Sequence, residues 1–219
     1  MESGLRAGPD DQGLRLIETV LWDGASCPRL PGHLARLGAS AAALGWPCDL
    51  ALAAQALTGP AGQAARLRLT LDAQGRTEVT MAALPPAIPL WHLGLAGPRL
   101  RSSDPWLRVK STRRDTYDSA RAQMPEGLHE LIFLNERAEV CEGTITNLFF
   151  DRGQGLRTPP LSCGLLPGVL RAERLAGDCR EEVLPARDLP HVRLWVGNAL
   201  RGLCPAVWRG IDGVKVNAG

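Results

Sequence analysis

The stretch LRVKSTRRDTYDSARAQMPEGLHELIFLNERAEVCEGTITNLFF, Leu107 to Phe150, decides how the chain is read. The chain has 25 Lys+Arg, yet only Lys110 and Lys215 are lysines. Arginine supplies surface charge as well as lysine does, but it keeps its proton near neutral pH. A lysine amine can lose its proton and become a nucleophile. Lys110, beside a β-like Leu107-Arg108-Val109 run, is therefore a candidate for amine chemistry; the competing reading is a solvated surface charge. The second feature is Glu142-Gly143, which closes a short strand and precedes Thr144-Ile145-Thr146-Asn147. A strand-end carboxylate followed by glycine and small polar side chains is a place where a ligand can approach backbone.

Around this stretch the pattern predicts an α+β chain. Leu14, Leu16 and Val20 alternate through a strand over 14–24, ending in an Asp23-Gly24 turn. Pro31-Gly32 opens a helix with Leu34, Leu37, Ala41 and Leu44 at helical spacing, stopped by Gly45 and Pro47. His33 and Arg36 share one face of it. A second helix spans 49–60. Leu67, Leu69 and Leu71, then Val79, Met81 and Ala83, alternate in two runs that predict an antiparallel hairpin with one buried face. Pro85-Pro86 and Pro89 mark a boundary, giving a small N-terminal domain of 1–86 and a larger, β-rich domain of 87–219. In the second, Arg113 to Gln123 predicts a helix. Residues 130–135 and 139–143 predict a hairpin, with further strands at 146–151, 191–198 and 206–213 and a helix starting near Gly168.

Bulk properties narrow the function. With 45% hydrophobic and 22% charged residues, the chain has an ordinary globular composition. A net charge of +2 with scattered arginines gives no phosphate-tracking patch, so no nucleic-acid partner is expected. No apolar run approaches the roughly 18 residues of a membrane span. The start, MESGLRAGPDDQG, has no apolar segment of a secretion signal. Cys27, Cys48, Cys141, Cys163, Cys179 and Cys204 show no metal-ligand spacing, so no metal is expected. Reduced thiols in a cytoplasmic protein are the expectation.

The motifs Glu18-Thr19, Asp23-Gly24, His33 to Leu37, Lys110 to Tyr117, Glu130 to Asn135, Glu142 to Phe149, Thr158 to Leu161 and Gly164 to Arg171 occur in this order. Together they resemble the fold-type IV family of pyridoxal-phosphate enzymes. That family contains branched-chain and D-amino-acid aminotransferases and 4-amino-4-deoxychorismate lyases. The resemblance implies a two-domain D-amino-acid-aminotransferase-like fold, with pyridoxal 5'-phosphate at the domain interface and a homodimer. It implies that Lys110 holds the cofactor as a Schiff base and acts as general base, aided by the cationic Arg113 and Arg114. It also implies that Glu142 faces the ring nitrogen and that Arg36 grips the phosphate. The amides of Val169 and Leu170, together with Asn198 and Ala199, complete the phosphate cup, and Asn147 joins the cofactor set. Thr19, His33, Arg101 and Arg108 become substrate candidates, whereas Tyr117 is read as packing. The family's usual first-domain tyrosine and opening strand pair have no counterpart. The runs TPPLSCGLLPGVLR (158–171) and NALRG (198–202) look most like lyase domains that release 4-aminobenzoate and pyruvate. A class IV aminotransferase using branched-chain or D-amino acids with 2-oxoglutarate is the alternative, and a non-catalytic cofactor-binding protein the second.

Overall fold

The computed structural model describes Leu5 and Gly13–Gly210. Two compact units emerge. One reaches Pro86 and also takes in Val109–Arg113; the other holds Ala87–Arg108 and continues from Arg114. The return of Val109–Arg113 to the first unit is not visible in the sequence pattern. The chain's first residues and Ile211 to Gly213 of the last expected strand lie outside the described residues.

The first unit contains β1 (Leu16–Trp22), α1 (Leu30–Leu44), α2 (Leu50–Ala56), β2 (Ala65–Leu71) and β3 (Thr77–Ala82). Its strands form an antiparallel sheet in the order β1-β2-β3. Pro31 sits in the first turn of α1, where its missing N–H costs nothing, and Gly45 ends the helix in the left-handed conformation (φ 68°). Asp49 caps α2 by accepting from the amides of Ala51 and Leu52, both at 2.9 Å. The β2–β3 turn depends on Asp72, which accepts from the amides of Gln74 and Arg76, and on Gly75 at φ 79°. Leu67, Leu69 and Leu71 are wholly buried, each contributing about 1.5–3 kcal/mol by removal from water. Alternation in β3 does not mean burial: Met81 is 59% exposed because β3 is an edge strand.

The second unit contains β4 (Trp91–Leu100), α3 (Asp115–Ala122), β5 (Glu130–Asn135), β6 (Val140–Gly143), β7 (Asn147–Asp151), β8 (Arg157–Thr158), α4 (Val169–Leu175), β9 (Arg180–Glu181), β10 (Arg193–Asn198) and β11 (Gly202–Trp208). They form an eight-stranded sheet in the order β10-β11-β4-β5-β6-β7-β8-β9. An additional β10–β7 pairing closes β10, β11, β4, β5, β6 and β7 into a ring. Alternate residues of these strands build one core: Trp91, Leu93, Ile132, Leu134, Leu148, Phe150, Leu194 and Val196. On the opposite face, Leu131, Phe133 and Cys141 pack with Ala120 and Tyr117 of α3, and Phe149 packs with Leu170 of α4. Every residue of β5 is buried, as a strand covered on both faces requires. No described helix is long and apolar enough to cross a membrane.

Two expectations are corrected. Leu107 to Val109 is not a strand, because Pro105–Arg108 forms a 3-10 turn with Asp104 Oδ1 accepting from the Trp106 amide at 2.9 Å. The helix after Lys110 begins at Asp115 rather than Arg113, because Arg113 belongs to the segment that joins the first unit.

Gly164, in the 158–171 loop, packs directly against backbone. Its φ is 86°, and a Cβ would lie 2.7 Å from Ser102 Cα. Gly164→Ala is expected to destabilise the fold by more than about 1 kcal/mol, read as a lower urea midpoint.

Candidate active site

The first unit positions Lys110 through its backbone. The Lys110 carbonyl accepts from the Ile17 amide at 2.9 Å, and the Thr112 amide donates to the Arg15 carbonyl at 2.9 Å. The Thr112 hydroxyl accepts from the Arg15 amide at 3.0 Å, and Ser111 bridges Leu16 in antiparallel fashion. The lysine is thus fastened to the outer edge of β1, a half-buried residue beside an isolated β-bridge.

The next residue of β1, Glu18, is buried and organises α1. Its Oε1 accepts from Arg36 Nε at 2.9 Å, and its Oε2 accepts from Arg36 Nη2 at 2.6 Å. His33 Nδ1 lies 2.6 Å from Oε2. Burial pushes the Glu18 carboxyl up, but the charge of Arg36 and the hydrogen bonds from His33 and Arg36 outweigh it and hold the group below the ordinary carboxylate range. A carboxylate only accepts, so His33 Nδ1 carries the proton. His33 Nε2 is buried with no hydrogen-bond partner among the described residues. Strand alternation puts Thr19 on the other face of the sheet, opposite Arg68.

The second unit builds the surroundings of Glu142. Its Oε1 accepts from the Tyr117 hydroxyl at 2.8 Å, and its Oε2 lies 3.4 Å from Asn147 Nδ2. Asn147 also donates to the Leu166 carbonyl at 3.0 Å. Tyr117 is therefore more than packing: it touches the carboxylate that the motif singles out. Burial first, and then the Glu142 charge, push the phenol far above its ordinary range, so it stays a donor.

The turn after Glu142 is held by Glu130, for which the sequence suggests no role. This wholly buried carboxylate accepts from the Thr144 amide at 3.0 Å, the Ile145 amide at 3.2 Å, the Thr146 hydroxyl at 2.9 Å and the Thr144 hydroxyl. Arg121 approaches it at 3.5 Å and donates to Thr144 Oγ1 at 2.9 Å. Arg114 donates to the Thr144 carbonyl at 3.1 Å and pairs with Asp118. Gly143 admits no side chain, since a Cβ would sit 2.5 Å from Thr146 Oγ1 and 2.7 Å from Glu130.

The start of α4 and the β10–β11 turn meet beside this loop. Asn198 donates to the Ile145 carbonyl at 3.2 Å and accepts from the amides of Leu200 and Arg201. Its side chain shapes the turn that carries Ala199. Gly197 lets α4 come close, because a Cβ there would lie 2.7 Å from Leu170 Cδ2. Gly168 packs against Asn147, whose Oδ1 would be 1.9 Å from an added Cβ. Buried Arg171 anchors α4 to the Pro159 carbonyl at 2.8 Å and to Glu181. Val169, Leu170, Ala199 and Asn147 are thereby gathered around the Glu142–Asn147 loop. Arg101 and Arg108 are exposed, after β4 and at the end of the 3-10 turn.

The amino-transferase class IV family pattern matches residues 15–207, and the chain belongs to that family. A Mesorhizobium loti protein provisionally named an amino-acid aminotransferase is 45% identical, with a TM-score of 0.83 over 89% of this chain and 99% of its own. The 4-amino-4-deoxychorismate lyase of Pseudomonas aeruginosa is 24% identical, with a TM-score of 0.73 over 90% of this chain and 83% of that one. A hypothetical aminotransferase from Mycobacterium tuberculosis, solved with pyridoxal phosphate bound, is 20% identical, with a TM-score of 0.76 over 95% and 84% of the two chains. No protein of curated function matches significantly. The fold is that of the fold-type IV enzymes, and the cofactor of this class is pyridoxal phosphate. The donor chemistry suits it: an amine and a guanidinium in one unit, and in the other a buried carboxylate fixed by a phenol and an amide, beside the first amides of α4.

Glu18 gives a pH signature. Its folded value lies below the ordinary 4.5, so its stabilisation is complete above about pH 4.5 and is lost as pH falls through the lowered value. Glu18→Ala removes the buried carboxylate that pairs with His33 and Arg36 and should cost about 3–5 kcal/mol at neutral pH. Urea unfolding as a function of pH should show a flatter acid limb in the variant.

Proposed function

We propose that the chain is a pyridoxal-phosphate-dependent lyase that converts 4-amino-4-deoxychorismate to 4-aminobenzoate and pyruvate. The observation that carries this reading is the meeting of the two lyase-like runs: Leu170 of 158–171 packs into the space that Gly197 leaves beside 198–202. The family resemblance supports these roles: Lys110 would bind the cofactor covalently, Arg36 and the amides of Val169, Leu170 and Ala199 would hold its phosphate, and Asn147 and Glu142 would hold its ring.

Bound pyridoxal phosphate supplies a conjugated ring that accepts the electron pair left when a proton leaves the substrate carbon bearing nitrogen. The Lys110 amine would take that proton as general base. Glu142 would hold a proton on the ring nitrogen, which would make the ring a better acceptor. In the lyase the bond between the neighbouring ring carbon and the enolpyruvyl oxygen then breaks, and the carbocycle becomes aromatic. The departing enolate gains a proton and becomes pyruvate. Arg101, Arg108, Thr19 and His33 are the candidates for substrate contact. The six free cysteines support a reducing, cytoplasmic setting, and the family resemblance supports a homodimer.

The 45%-identical Mesorhizobium loti protein favours a second reading, amino-group transfer. In that case no leaving group would depart, and Lys110 would donate the proton back instead of only removing it. Incubation with 4-amino-4-deoxychorismate should yield 4-aminobenzoate and pyruvate in equal amounts. Conversion of 2-oxoglutarate to glutamate with an amino-acid donor, and no 4-aminobenzoate, would establish the transferase instead. Lys110→Ala should lower turnover by several orders of magnitude and abolish the covalent cofactor absorbance; retained turnover would remove Lys110 from the mechanism.

A further inference from the structure

Glu142 needs more than proximity to keep a proton on a ring nitrogen. It must present a lone pair in a fixed direction, and it must bind the proton less strongly than the nitrogen does. Tyr117 meets both needs. Its hydroxyl donates to Oε1 at 2.8 Å, which leaves Oε2, near Asn147, as the oxygen not engaged by the phenol. The Tyr117 ring is held on α3 between Phe133, with centroids 4.9 Å apart, and the Arg114 guanidinium, 6.0 Å over the ring. Arg114 is itself fixed by Asp118 and the Thr144 carbonyl. The donor therefore rests on a rigid helix rather than a loop. A hydrogen bond to the charged form of a carboxylate favours that form and lowers its proton affinity.

We propose that Tyr117 is a positioning residue for the reaction. Its phenol orients Glu142 and weakens its basicity, and this keeps the shared proton on the cofactor nitrogen. The proposal rests on the reading that Glu142 faces that nitrogen. A stronger phenol donor pushes the proton further onto nitrogen, and loss of the donor lets it move to the carboxylate. The ring then becomes a poorer electron acceptor.

The sequence offers a direct test, because Tyr117 is the only tyrosine in the 219 residues. Expression on 3-fluorotyrosine or 3,5-difluorotyrosine alters this one phenol and makes it a progressively stronger donor. The readout is the 15N shift of ring-labelled pyridoxal phosphate in the holoenzyme. The shift should move stepwise toward the protonated value through the fluorotyrosine series, and toward the unprotonated value in Tyr117→Phe. The phenylalanine keeps the Phe133 contact; the fluorinated proteins give the answer even if that variant does not fold. A role in packing alone would leave the 15N shift unchanged. Glu142→Gln separates the two levels of inference. If it moves the shift while the Tyr117 changes do not, the Tyr117 role is overturned and Glu142 stands. If Glu142→Gln leaves the shift unchanged, the placing of Glu142 at the nitrogen is overturned.

Discussion

The second unit depends on one buried carboxylate. Glu130 sits at the start of a strand covered on both faces and would be costly there unless fully paired. It is paired by the amides and hydroxyls of the Thr144-Ile145-Thr146 turn, with Arg121 alongside. That turn has backbone groups that no sheet partner can satisfy, so each side resolves the other's deficit. Because the turn is fixed, Glu142 before it and Asn147 after it are fixed too, and the Ile145 carbonyl is placed to receive Asn198.

Glu18 plays a parallel part in the first unit. It is another buried acid on a strand, paired with a helix-borne arginine and histidine. The two carboxylates differ in what they hold. Glu130 collects backbone, and so shapes a loop. Glu18 collects side chains, and so sets the direction of the Arg36 guanidinium from α1. A planar guanidinium held through Nε and one Nη is restrained about its own axis, which a lysine at position 36 could not be.

Much of this could be read in the sequence where a residue's chemistry is rare or its pattern local. Lysine scarcity pointed to Lys110, and Glu142-Gly143 marked a strand end before a polar turn. The β2–β3 and β5–β6 hairpins followed from alternation and turn residues. What could not be read depends on side chains far apart in sequence. Tyr117 meets Glu142 only because α3 packs on the outer face of β5 and β6, which no periodicity encodes. Glu130 carried no sign that its partners would be residues 144–146. The 3-10 turn at Pro105–Arg108 was hidden because Leu-Arg-Val has strand character, and Pro105 with the Asp104 cap overrides it. Met81 alternates correctly but lies on an edge strand, where alternation says little about burial.

The pairing of Ser111 and its neighbours with β1 makes the first unit discontinuous in the chain. A ribosome that has released residues 1–86 has delivered all three strands of that sheet, but not the segment that takes the Ile17 amide and the Arg15 carbonyl. The outer edge of β1 stays open until residue 112 has left the exit tunnel. By then β4, a strand of the other unit, has already been made. The two units therefore cannot mature strictly one after the other during synthesis, and a fragment cut at the apparent Pro86 boundary would expose the β1 edge to other chains.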